Sequence, residues 1–313
     1  MTATTLFYII IAILILSFII DKILDTLNSS HYNDLIPVEL KDVYDHKEYQ
    51  KSQAYKKVNA RFGSITSLVS LVATLAFFFL DGFAFVDKWA RTFSDNNIII
   101  ALIFFGSIML ASDILSTPFS YFHTFVIEER FEFNKTTIKT FFLDKAKGWL
   151  ISSLLGGLIL SIIIWFYEST GSNFWLYAWG MVAAFAFFMN MFYARLIVPL
   201  FNKQTPLEEG TLKTKIENYA QQVGFTLDKI FVIDGSKRST KANAYFSGFG
   251  NEKRVTLYDT LINDLEEDEI VAVLAHEVGH YKRKHIVFNL IASILTMGFT
   301  FWLLSLFVGS PIL

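Results

Sequence analysis

The chain is 313 residues long, 53% hydrophobic and 18% charged, with a formal net charge of −2 at pH 7. That balance excludes an ordinary pair of soluble domains, and lysines scattered in separate clusters exclude a nucleic-acid partner. The chain has no cysteine, so disulfide frameworks and thiolate metal sites are excluded, and any metal must be held by His, Asp or Glu.

A bilayer core about 30 Å thick needs roughly 20 apolar residues in a helix, because hydrocarbon satisfies no exposed backbone group. Six stretches read this way, at 6–20, 65–85, 98–115, 149–167, 174–200 and 286–308. The first reads as a retained anchor: no Lys or Arg precedes it, no small-residue cleavage pattern is present, and Asp21 and Lys22 follow directly. The loops at 21–64 and 116–148 are rich in Lys and Arg, whereas the turns between the other spans hold only Lys88 and Arg91 or no basic residue. By the positive-inside rule those two loops and residues 201–285 are cytoplasmic, and the amino terminus is outside or lumenal. The expected division is five transmembrane helices in 1–200, a cytoplasmic domain in 201–285 and a sixth transmembrane helix in 286–313.

Within 201–285 the pattern predicts an amphipathic helix over 212–223, stopped by Gly224. A short buried strand over 230–233 follows, with a turn at Asp234, Gly235 and Ser236. Residues 242–249 and 254–258 alternate around Gly248, Gly250 and Asn251 and predict a β-hairpin. The last helix is expected over 265–285, with Asp264 and Glu267 as a capping box, acidic Glu266–Glu269 at its positive end and Lys282, Arg283 and Lys284 at its negative end.

That helix contains HEVGH. His276 and His280 are four residues apart and project from one face, close enough for two imidazoles to bind one ion, with Glu277 beside them. A zinc ion so held leaves a position for water and lowers its pKa to roughly 7, and Glu277 is placed to take the proton and pass it to the departing amine of a cleaved peptide. The bland alternative is a solvated helix with two incidental histidines. His31, His46 and His123, isolated in polar loops or near span ends, read as surface or interfacial residues, and the acidic run 266–269 as a complement to the helix dipole.

Several blocks resemble the type I CAAX prenyl endopeptidases, integral-membrane zinc proteases that process prenylated protein carboxyl termini and have bacterial relatives. They are FVIEERFEFNKTT at 125–137, PLFNKQTPLEEG at 199–210 and KANAYFSGFGNEKRVTLYDTLI at 241–262. Glu132 departs from the pattern, since many members carry glycine there. The resemblance implies a mainly α fold: a transmembrane helical barrel, with six spans present and a seventh beyond the chain end, around a water-filled chamber, with a small cytoplasmic α+β zinc-protease domain. It implies that Asn243, Ala244 and Tyr245 lie on an edge strand that aligns the substrate backbone, which suits strand addition to an unpaired edge. It also implies one Zn2+ per chain, whose third protein ligand is a glutamate beyond Leu313. No Asp or Glu follows His280, and His285 on a continuous helix sits about 140° around from His280. The chain is therefore expected to be an amino-terminal portion that alone binds zinc weakly and hydrolyses little.

The expected function is peptide hydrolysis by a monomer in the bilayer of a bacterial inner membrane or the endoplasmic reticulum. The substrate is a peptide: prenylated carboxyl termini if eukaryotic, membrane proteins under quality control if bacterial. Alternatives are a catalytically incomplete fragment, a protease-derived scaffold and a transporter. The spans carry almost no charge at midplane, which weighs against transport, and the charged flanks of HEVGH weigh against a motif buried in the bilayer.

Overall fold

The computed structural model describes residues 2–32, 35–43, 45–225, 227, 229–248 and 253–308. The chain divides into two compact units, the first ending at Glu132 and the second beginning at Phe133. The first holds α1 (Ala3–Ser30), α2 (His46–Phe79), α3 (Gly82–Ala90) and α4 (Asn97–Phe122), the last running into a π-helical turn at His123–Glu128. The second holds α5 (Ile138–Thr170), α6 (Phe174–Leu196), α7 (Val198–Phe201), β1 (Gln204–Pro206), α8 (Thr211–Gln222), β2 (Ile230–Ile233), β3 (Ala244–Ser247), β4 (Arg254–Tyr258), α9 (Asp259–Asp264), α10 (Glu267–Lys282) and α11 (His285–Phe307).

Of the long helices, α2, α4 and α5 begin where a short polar side chain takes up the orphan amides of the first turn. Asp45 Oδ1 accepts from the amides of Lys47 at 2.8 Å and Glu48 at 3.0 Å, Asn96 Oδ1 from Ile98 at 2.9 Å and Ile99 at 3.2 Å, and Thr137 Oγ1 from Thr140 at 3.1 Å. Their apolar residues face outward. α2 and α5 bury no residue against the rest of the chain, and Leu68, Phe105, Leu154, Phe188 and Leu303 are all exposed. Hydrocarbon solvates such surfaces and water does not, so this is an integral membrane protein.

Five continuous helical runs are long and apolar enough to cross a membrane: Ala3–Ser30, His46–Phe79, Asn97–Glu128, Ile138–Phe201 and His285–Phe307. The sequence count was six. The difference lies in the 64-residue fourth run, which contains both α5 and α6 with only a 3-10 turn, Gly171–Asn173, between them. Gly171 takes φ +56°, open to glycine without strain, and there the chain reverses so that α5 and α6 pack on each other. α11 packs on α6, where Trp179 Nε1 donates to the Ile294 carbonyl at 2.9 Å over the Cβ-free face of Gly298.

The sheet has the order β1-β2-β4-β3, with β2 and β4 parallel and the outer pairs antiparallel. Val255 and Leu257 of β4 are fully buried and pack with Ile216 of α8 and Ile270 and Leu274 of α10. The 212–223 helix, the 230–233 strand and the hairpin arms all form, and Gly224 ends α8 with φ +62°. The hairpin tip at 249–252 lies outside the described residues.

The single helix expected over 265–285 is instead broken: α10 fills most of it, and its last residue, His285, already belongs to α11. Asp264 ends α9, Leu265 is extended, and α10 starts two residues later than the expected cap. The capping box falls on Glu266 and Glu269, whose carboxylate accepts from the Glu266 amide at 2.9 Å. At the other end α10 stops at Lys282 and Lys284 turns left-handed, φ +56°, so that His285 opens α11.

Candidate metal centre

α10 is fixed along its apolar stripe and at its amino end. Ile270, Leu274 and Val278 recur every four residues and are buried. At its start the Thr211 hydroxyl donates to the Glu267 carboxylate, and Lys215 Nζ sits 2.9 Å from Glu267 and 2.8 Å from Asp268. The hydrogen bond from Thr211 and the charge of Lys215 hold the Glu267 carboxyl below its usual range. With that stripe buried, His276 and His280 are turned outward and exposed, and Glu277 is half-buried at its margin.

The two histidines come together as the spacing predicts. Their Nε2 atoms are 3.0 Å apart and their ring centroids 4.6 Å apart. Two nitrogens each about 2.0–2.1 Å from one tetrahedral ion lie about 3.3 Å apart, so the pair fits zinc within a few tenths of an ångström. The Glu277 side chain has no hydrogen bond or ion pair among the described residues, which leaves its oxygens free to take a proton. No three His, Cys, Asp or Glu side chains among the described residues are grouped to hold a metal together.

His285 lies where a continuous helix would not put it. The left-handed turn at Lys284 folds it back, and its Nδ1 is 2.8 Å from His280 Nδ1, on the side of that ring away from His276. The expected 140° separation fails because the helix is broken. His285 nevertheless touches the back of a candidate ligand rather than joining the metal-facing side.

β3 forms the open end of the sheet order and packs on α10. The Tyr258 amide donates to the Asn243 carbonyl at 3.0 Å. Antiparallel pairs alternate between bonded and non-bonded, so Tyr245 and Ser247 bond to β4 while the peptide groups of Ala244 and Phe246 point to the open edge. Asn243 is exposed, and its Oδ1 accepts from the Ala244 amide at 2.8 Å, covering one of those outward donors. Ala244 itself is 7% exposed, so only its backbone can meet a ligand. Tyr245 is half-buried, and burial pushes its hydroxyl up from the ordinary tyrosine value.

Sequence reasoning did not find the clamp that seats the loop before β3. Arg238 donates to both carboxylate oxygens of Asp144, at 2.7 and 2.9 Å, and to the Phe201 carbonyl at 2.9 Å. The Lys135 amide donates to the Arg238 carbonyl at 3.0 Å and the Thr240 amide to the Phe133 carbonyl at 3.1 Å. In the first unit, a cavity of about 890 Å³ lined by Phe62, Ser70, Ser112, Phe119 and His123 holds none of the HEVGH residues. His123 Nε2 is 2.9 Å from Asn59 Oδ1, on a ring that stays partly exposed.

An outward-facing HExxH pair, with a glutamate that has no side-chain partner among the described residues, beside an open sheet edge on a chain of membrane-crossing helices, is the arrangement expected of the class of integral-membrane HExxH metallopeptidases. Comparison with known families gives the particular branch. Residues 25–203 match the family described as CAAX prenyl protease N-terminal, five membrane helices, and residues 206–311 match peptidase family M48. A CAAX prenyl protease 1 homolog of Oryza sativa subsp. japonica is 39% identical over 274 residues, covering 85% of this chain and 64% of the relative. A probable CAAX prenyl protease 1 of Schizosaccharomyces pombe is 36% identical over 286 residues, covering 87% and 60%. The crystal structure of S. mikatae Ste24p superposes with a TM-score of 0.89 at 37% identity, covering 94% of this chain and 71% of that one. The chain belongs to the CAAX prenyl protease family of M48 peptidases, and membership implies a metal. It spans less than two thirds of the length of the two relatives named here.

Proposed function

We propose that this protein is an integral-membrane zinc metalloendopeptidase that removes carboxyl-terminal peptides from prenylated proteins, with His276 and His280 as metal ligands and Glu277 as the proton carrier. The third ligand is a glutamate from outside the described residues, as the family resemblance implies. When bound, zinc supplies Lewis-acid chemistry, polarising a peptide carbonyl and lowering the pKa of water to about 7. Glu277, next to the ligand pair and without a side-chain partner among the described residues, would take a proton from the attacking water and deliver it to the departing amine. The outward peptide groups of Ala244 and Phe246 bond an extended substrate as an added strand, with the Asn243 side chain giving up the Ala244 amide as it enters.

The fourth helical run crosses the bilayer twice, giving six crossings in this chain, with a seventh to follow. The Lys and Arg of 21–64 and 116–148, most of them in α1, α2 and α5 as these helices form, support a cytoplasmic position for those segments and for residues 201–285. A protein so placed meets prenylated carboxyl termini where they are made, on the cytoplasmic face, and acts as a monomer.

The observation that carries this reading is the 3.0 Å approach of the two Nε2 atoms beside an uncommitted carboxylate. The test is Glu277→Gln in the full-length protein, assayed on a farnesylated CAAX peptide. Hydrolysis is expected to fall at least about a hundredfold, the scale of a lost general base, with zinc content unchanged. Undiminished hydrolysis in that variant overturns the proposal, and activity that persists as transport or scaffolding would show a different function.

A further inference from the structure

Three imidazoles line up at the end of α10. His276 and His280 meet edge to face with centroids 4.6 Å apart and planes at 71°, and His280 and His285 repeat this at 4.9 Å and 70°. The two nitrogens of His280 therefore have different neighbours: Nε2 faces His276 at 3.0 Å and Nδ1 faces His285 Nδ1 at 2.8 Å. An imidazole can present a lone pair to a metal at Nε2 only if its proton sits on Nδ1, and a partner that accepts at Nδ1 fixes that tautomer.

The backbone that achieves this is strained. Lys284 is left-handed at φ +56°, ψ +28°, a conformation disfavoured for a residue with a Cβ, and neither Gly nor Asn is there to ease it. Without that turn, His285 would lie about 140° around the helix, out of reach of His280. The turn is held by the Lys284 amide donating to the Tyr281 carbonyl at 2.9 Å and by the Phe288 amide donating to the Lys284 carbonyl at 2.9 Å. Strain kept at a site is a reason to ask what it positions. Here it positions one imidazole against another.

We infer that His285 is a positioning residue for the metal centre: its Nδ1 accepts the Nδ1 proton of His280, which fixes the ring's rotation and leaves Nε2 unprotonated toward the ion. The inference rests on the assignment of His276 and His280 as ligands. It gives α11 a role in the site, because its first residue orients a ligand carried by α10.

The test is zinc affinity of the full-length protein in detergent, measured by competition with a fluorescent chelator, for wild type and for H276A, H285A, H285N and H285F. Loss of an outer partner of a ligating histidine typically weakens metal binding by 10–100-fold. H285A and H285F are expected to fall in that range. H285N, whose side-chain carbonyl can reach the place of Nδ1 and accept the same proton, is expected to recover most of the loss. A merely structural role predicts the reverse order, with bulky Phe better tolerated than Asn. Metal-free thermal stability of each variant separates misfolding from weakened binding. If wild type binds zinc tightly and H276A does not, while H285A binds as wild type does, the positioning role alone is overturned. If H276A binds zinc as wild type does, the ligand assignment fails and the inference falls with it.

Discussion

Replacing Asp144 by Ala removes one side of the only bidentate arginine–carboxylate pair described between α5 and the loop before β3. Arg238 then keeps a single bond, to the Phe201 carbonyl, and its Nη1 is already buried without a partner. Breaking a fully buried pair from one side costs about 3–5 kcal/mol, because a charge is left without compensation. Both side chains here are 24% exposed, so water recovers part of that, and about 2–3 kcal/mol is expected. At roughly 2–4 °C per kcal/mol for a domain of this size, the melting temperature in detergent should fall by about 4–12 °C. Asp144→Asn keeps the shape and one acceptor and should cost about half as much. The discriminating measurement is a double-mutant cycle with Arg238→Met, in which the pair should show a coupling of about 2 kcal/mol, because the second substitution removes the stranded charge. Additive losses, or a D144A variant that melts within a degree of wild type, would refute the reasoning.

The remaining predictions concern Tyr245 and Glu132. Burial raises the Tyr245 hydroxyl above its unfolded value of about 10, so the folded chain holds a proton that the unfolded chain releases. That contribution is complete below about pH 10 and is lost as pH rises through the folded value. Melting curves between pH 8 and 11 should therefore fall more steeply for wild type than for Tyr245→Phe, and parallel curves would count against it. Glu132 is left-handed at φ +66° and pairs with Lys51 on the surface. Glycine there relieves about 1–2 kcal/mol of strain but gives up about 0.5–1 in chain entropy and at most about 1 from the exposed pair. Glu132→Gly should hold stability within about 1 kcal/mol, whereas β-branched Glu132→Val should lose about 2, and thermal unfolding that ranks Val with Gly would contradict this.

Much of this fold is written in local periodicity. Uniform apolar runs need no partner other than lipid, so α1, α2, α4, α5, α6 and α11 were readable without knowing their neighbours. The strand at 230–233 and the hairpin arms showed the same way, because Val255 and Leu257 alternate into a core that α8 and α10 close. HEVGH was legible because four-residue spacing on a helix is itself a geometric statement. What could not be read was where one helical pattern yields to another. Residues 259–285 are helix-compatible almost throughout, and acidic residues at 264, 266, 267, 268 and 269 offer several caps of similar quality. Tertiary packing of Leu261 against the sheet chose Glu266 over Asp264, and no local signal carries that choice.

Two of the left-handed residues, Glu132 and Lys284, show what decides legibility. Glu132 departs from the glycine that the resemblance leads one to expect, which left the local turn in doubt, and the structure gives it φ +66°. Lys284 stands in a run of three basic residues that fits the end of a helix dipole equally well whether the chain continues or bends. Its conformation is set by what lies beyond it: α11 must leave α10 at an angle to pack its Gly298 face on Trp179 of α6. The bend that membrane packing imposes is the same bend that brings His285 onto His280. A span thus sets His285 against His280 through one left-handed backbone position, and helical periodicity, which assumes continuity, places that histidine on the wrong side.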